Sequence, residues 1–141
     1  MDLTSSQGEE ETLAACIAAC NECSQVCLQS IDHCLTLGGA HAEPGHIATL
    51  MTCASVCRTA SELMSINSEW HPTVCDLCAQ VCDECADQCE NLGATEDCVS
   101  ACQDCADACR EMVSEEAADL EEESEDEDEE PAEVLAQERL N

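Results

Sequence analysis

Sixteen Cys fall at alternating steps of three and four residues: Cys16, Cys20, Cys23 and Cys27; Cys53 and Cys57; Cys75, Cys78, Cys82, Cys85 and Cys89; then Cys98, Cys102, Cys105 and Cys109, with Cys34 seven residues beyond the first run. This is the a/d rhythm of a heptad, so each run lines up its thiols along one side of an α-helix, where Leu normally stands. The fold class predicted is all-α, an antiparallel four-helix bundle with a Cys-lined core. An interior of that kind is a thiolate array suited to a soft metal ion.

Start and stop signals divide the chain accordingly. Ser6 and Glu9 stand at capping-box spacing, so the first helix is expected from about Ser6 to Leu37. Its inner stripe reads Leu13, the five Cys up to Cys34, Ser30 and Leu37, and Gly38-Gly39 ends it. Pro44 and Pro72 open the second and third helices. The second carries His46, Leu50, Cys53, Cys57, Ala60 and Met64 inward and stops near Asn67, and the third ends after Leu92 at Gly93. Thr95 is placed to cap the fourth, whose stripe ends at Met112. Short connections favour antiparallel neighbours. The domain boundaries expected are an arm over 1–8, the bundle over 9–114, an acidic disordered tail over 115–131 and a short C-terminal segment over 132–141 with some helical tendency.

Composition sharpens the picture. With no Phe or Tyr and one Trp, the core is poor in large apolar side chains, and small side chains leave space that bound metal would fill. The chain carries 33 acids against three Arg, and residues 1–114 alone hold 19 acids and two Arg. Nucleic acid and anionic membranes are therefore excluded as partners. Such acidity without Lys fits a protein dissolved in high salt, or simply a very soluble one. Neither a secretory leader nor a spanning apolar stretch is evident, so a cytoplasmic location is expected. In a reducing cytosol, Cys-rich sequences are metal sites more often than disulfide frameworks.

Thiols one helical turn apart, about 5–6 Å between Cβ atoms, can converge on one ion through bonds of about 2.3 Å, but are too far apart for an unstrained disulfide. Structural zinc sites usually take two separated pairs closing one tetrahedron, and iron–sulfur ligation favours a final Cys-Pro that is missing here. Cu(I), which accepts low coordination by thiolates, suits a continuous row best, with a zinc or iron–sulfur thiolate protein as the alternative. Nothing in the sequence supplies a nucleophile–base pair or phosphate loop, so no enzymatic activity is expected.

The stretch Cys75-Asp-Leu-Cys78-Ala-Gln-Val-Cys82-Asp-Glu-Cys85-Ala-Asp-Gln-Cys89, followed by Cys98-Val-Ser-Ala-Cys102-Gln-Asp-Cys105-Ala-Asp-Ala-Cys109, resembles the copper storage proteins, in their cytosolic branch. The likeness runs from about Leu13 to Met112. It implies Cu(I) storage and buffering with many ions held by the sixteen Cys, a homotetramer of bundles, a copper chaperone or exporter as partner, and loading through an end that bears His or Met. The chain departs from the family in having no His between the third and fourth helices, and in its acidic tail. Its candidate entry residues are Met64, His71 and Met112 at one end, the favoured mouth, and His46 at the other, with His33 and His41 nearby. Met51 falls off the stripe, and Trp70 is expected to pack as a hydrophobic staple or at a subunit contact.

Overall fold

The computed structural model describes residues 3–93 and 96–123, with side chains over 8–93 and 96–115. Four helices follow one another: α1 (Leu3–Leu37), α2 (Pro44–Ser65), α3 (His71–Leu92) and α4 (Glu96–Glu123), with a single 3-10 turn at Gly39–Ala42 between the first two. The helix α1 packs on α2 and α4, and α3 packs on the same two, so the bundle closes as a ring. Every neighbouring pair is antiparallel, because thiols late in one helix meet thiols early in the next: Cys16 with Cys109 and Cys23 with Cys102, Cys53 with Cys82 and Cys57 with Cys78.

The stops are local chemistry. Gly38 (φ 75°, ψ −169°) and Gly93 (φ 67°, ψ 26°) take positive-φ conformations that other residues resist, Gly93 in the left-handed region, and Gly93 N–H donates to the carbonyls of Cys89 and Glu90. Asn67 does the same for α2 at φ 56°, with Asn67 N–H bonded to Met64 and Ser68 N–H to Leu63, the paired bonds of a Schellman ending. Pro44 and Pro72 lie in first turns, where a missing N–H is harmless.

All sixteen Cys are at most 1% exposed, and Ala54, Ala60, Ala79, Ala86 and Ala106 fill the gaps between their rows. Leu50, Met64 and Met112 are the large apolar side chains of this core. Ser24, which lies off the expected stripe, is buried because its hydroxyl donates to the Ala54 carbonyl at 3.0 Å and ties α1 to α2. Outside, Arg110 and Asp83 pair across α4 and α3. Both are about half exposed, so the pair adds little stability.

Several expectations change. The helix α1 begins at Leu3, so Ser6 is a helical residue and cannot be its N-cap; nothing in Leu3–Gln7 breaks a helix, and Gly8 costs it only about 1 kcal/mol. The helix therefore runs through most of the segment read as an arm, and α4 likewise continues to Glu123, into the acidic segment. Leu37 is 51% exposed because Cys34 already faces His46 in the first turn of α2, leaving no partner layer beyond it. Trp70 is 65% exposed and is itself the N-cap residue of α3, one position too late to act as a staple. Thr95 and residues 124–141 lie outside the described residues.

Because the core contains so little large apolar volume, Leu50 should matter disproportionately. Leu50→Ala is expected to destabilise the reduced metal-free protein by about 2–5 kcal/mol in urea unfolding. Leu35→Ala, at a position 54% exposed, should change stability by about 0.5 kcal/mol or less.

Candidate metal centre

Sulfur atoms touch along the whole bundle axis. Neighbouring Sγ atoms lie between 3.3 Å (Cys89 to Cys98) and 4.0 Å (Cys85 to Cys98), and all sixteen are free thiols. With metal–sulfur bonds of about 2.3 Å, a tetrahedral ion needs sulfurs about 3.8 Å apart, a trigonal ion about 4.0 Å and a linear one about 4.6 Å. The separations already match three- and four-fold sites.

Groups of four thiols with all their sulfurs within 4.8 Å of one another recur along the core. Five of them follow one another in order: Cys27, Cys85, Cys98 and Cys102; then Cys23, Cys27, Cys53 and Cys102; then Cys23, Cys53, Cys57 and Cys82; then Cys57, Cys78, Cys82 and Cys105; and then Cys20, Cys78, Cys105 and Cys109. Each group shares two sulfurs with the next: Cys27 and Cys102, Cys23 and Cys53, Cys57 and Cys82, Cys78 and Cys105. The core is thus a row of tetrahedra joined by their edges. Heptad spacing on four antiparallel helices produces this, since each layer draws sulfurs from facing turns and each turn faces two layers.

Adjacent centres in such a row lie only about 2.7 Å apart for bonds of about 2.3 Å. Repulsion between neighbouring ions grows as the product of their charges, so two divalent ions repel four times as strongly as two monovalent ones. Shared thiolates and monovalent ions also let a buried array approach neutrality, which a low-dielectric interior demands. Thiols in direct contact leave no room for the inorganic sulfide of an iron–sulfur cluster. The arrangement therefore selects a soft monovalent cation.

The thiols do not ionise alike. Burial disfavours each thiolate, whereas S–H donors from neighbours stabilise one that forms. Cys23, facing Cys102 first and then Cys105, Cys27 and Cys53, is held far below the ordinary thiol value of 9.0, while Cys27, beside Cys102, is pushed well above it. On the same helix Cys16 is low, chiefly through Cys109 with a smaller contribution from His71, and Cys20 is high through Cys105. Cys78 is drawn down to about 3 by Cys105, and Cys105 to about 7 by Cys109. Along α1 low and high sites alternate from Cys16 to Cys27, because a thiol that keeps its proton donates it to the neighbour whose thiolate it favours.

At the ends, thiols meet other donors. Cys34, raised by burial and then by the charges of Cys98 and Cys85, faces His46 Nε2 at 3.6 Å. At the opposite end Met64, His71 and Met112 are buried, at 1%, 5% and 3% exposure, and the Thr12 hydroxyl bridges from α1 to the Glu115 carboxylate at 3.1 Å. His33 is exposed, and His41 donates through Nε2 to the Leu92 carbonyl at 3.3 Å. Gln88 was not signalled by the sequence: its Oε1 lies 3.0 Å from His46 Nδ1, a contact between α3 and α2 that no spacing within either helix announces.

The raised thiols hold their protons at neutral pH, so an ion bound as a thiolate complex must displace them. Affinity for a soft monovalent ion is expected to rise by about tenfold per pH unit for every proton released per ion between pH 6 and 8. Competition with a chromogenic chelator across that range measures it; a pH-independent affinity would contradict the protonation pattern.

A family model described as copper storage protein matches residues 9–114. The Cu(I)-bound copper storage protein BsCsp3 of Bacillus subtilis is 32% identical, with a TM-score of 0.68 over 72% of this chain and 98% of that one. A cytosolic copper storage protein from Streptomyces lividans, solved during copper loading with five coppers, is 31% identical at a TM-score of 0.66, covering 77% and 97%. The Nmul_A1745 protein of Nitrosospira multiformis reaches 43% identity and a TM-score of 0.72 over 74% and 97%. An uncharacterized cysteine-rich protein of Bacillus subtilis, YhjQ, is 33% identical over 70 residues, half of this chain and 65% of that one, just under two thirds of its length. The row of edge-sharing thiols and the match over nearly the whole bundle lead to one conclusion: this chain belongs to the copper storage protein family.

Proposed function

We propose that the protein stores and buffers Cu(I) in the cytosol, without enzymatic activity, using its sixteen Cys as ligands. The observation that carries this reading is the row of four-thiol groups joined through shared sulfurs. Sharing raises capacity, since a thiolate on a shared edge serves two ions, and it gives an ion a path along the axis on which two of its sulfurs are kept at every step. A copper chaperone or exporter is the fitting exchange partner, and a homotetramer is the assembly implied by the family resemblance. The cytosolic placement is supported by the Streptomyces lividans relative. No described helix is long and apolar enough to cross a membrane.

Saturating an anaerobic, fully reduced sample with Cu(I) and weighing it by native mass spectrometry is expected to give roughly one ion or slightly more per Cys, because bridged clusters approach neutrality. A sharp endpoint near half that number would mean isolated two-thiolate units and would overturn the shared-thiolate account.

Entry is proposed at a bundle end. The sequence favours the Met-bearing end, where Met64, His71 and Met112 are buried; His46 at the other end is 7% exposed, but a groove of about 510 Å³ opens onto it, and that groove argues for the His46 end. Stopped-flow uptake should therefore slow in His46→Ala and change little in the Met64→Leu, Met112→Leu double variant. The reverse result would return the mouth to the Met-bearing end.

A further inference from the structure

One terminus of the sulfur row is built differently from its middle. Cys34 is fully buried and its Sγ lies 3.6 Å from His46 Nε2, which belongs to the first turn of α2. The other ring nitrogen, Nδ1, lies 3.0 Å from Gln88 Oε1, and the Gln88 amide nitrogen in turn donates to Glu84 Oε2 at 3.4 Å. These contacts fix one another in sequence. A carboxylate accepts only, so Glu84 must face the amide nitrogen of Gln88, and that turns Oε1 toward His46. A carbonyl oxygen also accepts only, so His46 must carry its proton on Nδ1. Nε2 is left with a lone pair aimed at the Cys34 sulfur. His46 and Gln88 both line the groove, together with Glu43, Gly45, Thr49 and Glu84.

We infer that Cys34 and His46 form a mixed thiolate–imidazole Cu(I) site at the end of the row, and that Gln88, itself oriented by Glu84, is the residue that positions His46 for it. This inference rests on the Cu(I) storage reading. An entering Cu(I) replaces the thiol proton of Cys34, which leaves to water in the groove, while the imidazole keeps its Nδ1 proton and contributes the Nε2 lone pair. Copper stays Cu(I) throughout. The product, one cation with one thiolate and one neutral imidazole, carries no net charge and needs no second bridging thiolate. That suits the end of a row, where neighbouring sulfurs lie on one side only. With bonds of about 2.0 Å to nitrogen and 2.3 Å to sulfur, the present 3.6 Å separation gives a bond angle of about 115°. An ion therefore fits there without movement of either helix and retains an open side.

Long-range proton–nitrogen NMR of the full-length, reduced, ¹⁵N-His-labelled protein tests this, with native mass spectrometry on the same samples counting copper. In the metal-free protein His46 is expected as the Nδ1–H tautomer, and at Cu(I) saturation its Nε2 signal should shift while Nδ1 stays protonated. Cys34→Ser should abolish that shift. Gln88→Leu should move the metal-free ring toward the Nε2–H tautomer and weaken the copper reported by His46 by about 10–100-fold, the usual effect of losing such an orienting partner. Gln88→Glu, which keeps an acceptor facing Nδ1, should restore the tautomer. An Nε2–H tautomer in the parent protein, a His46 signal unmoved at saturation, or a Gln88→Leu ring identical to the parent would each overturn the inference. Copper bound near one per Cys with a silent His46 would overturn this site alone; failure to bind copper at all would overturn the storage reading and the site with it.

Discussion

Contact between buried thiols is the constraint from which the rest of the structure follows. A single buried Cys behaves as a small hydrophobe with a weak donor. Sixteen of them in one core, most with a sulfur neighbour 3.3–4.0 Å away, become a coupled system in which each proton's position depends on its neighbours. Helices are the scaffold that permits it. The repeat of three and four residues returns a thiol to the same face every turn, and the helix satisfies its own backbone groups, so that the interior can be given over to side chains. Alanines between the Cys rows keep the helices close enough for sulfurs on different helices to meet.

The same contacts define what the core can accept. Sulfurs held at trigonal and tetrahedral spacing in the metal-free state need little rearrangement to surround an ion, so the cost of organising the site falls on folding rather than on binding. Edge sharing then favours low charge on each ion, and low charge with shared thiolates favours high capacity. A separate zinc tetrahedron has neither property. The acidic exterior is consistent with this role, since a negative surface attracts cations.

Much of this was legible in the sequence, and the reasons are physical. Spacing on a helix is fixed by the backbone, so the inward stripe of α2, from His46 to Met64, and all sixteen Cys could be placed from periodicity alone. Gly38, Gly93 and Asn67 announce helix ends because few residues tolerate the conformation required there. What stayed hidden depends on pairing between helices. Nothing in α1 specifies that Cys27 shares one layer with Cys98 and another with Cys53, and nothing in α3 marks Gln88 as the partner of a His on α2. Leu37 and Ser6 failed for a simpler reason: an inner stripe or a capping pattern has meaning only if a partner layer or a helix end is present at that point, and neither is.

A pair of crystal structures, one of the reduced metal-free protein and one at Cu(I) saturation, tests the central claim most directly. If the thiol row is organised before copper arrives, the Cys Cα positions should agree within about 1 Å between the two, as in other pre-organised binding surfaces, with copper ions bridged through thiolates common to neighbouring layers. Helices that part on loading, or ions held by pairs of thiolates that no second ion shares, would contradict it.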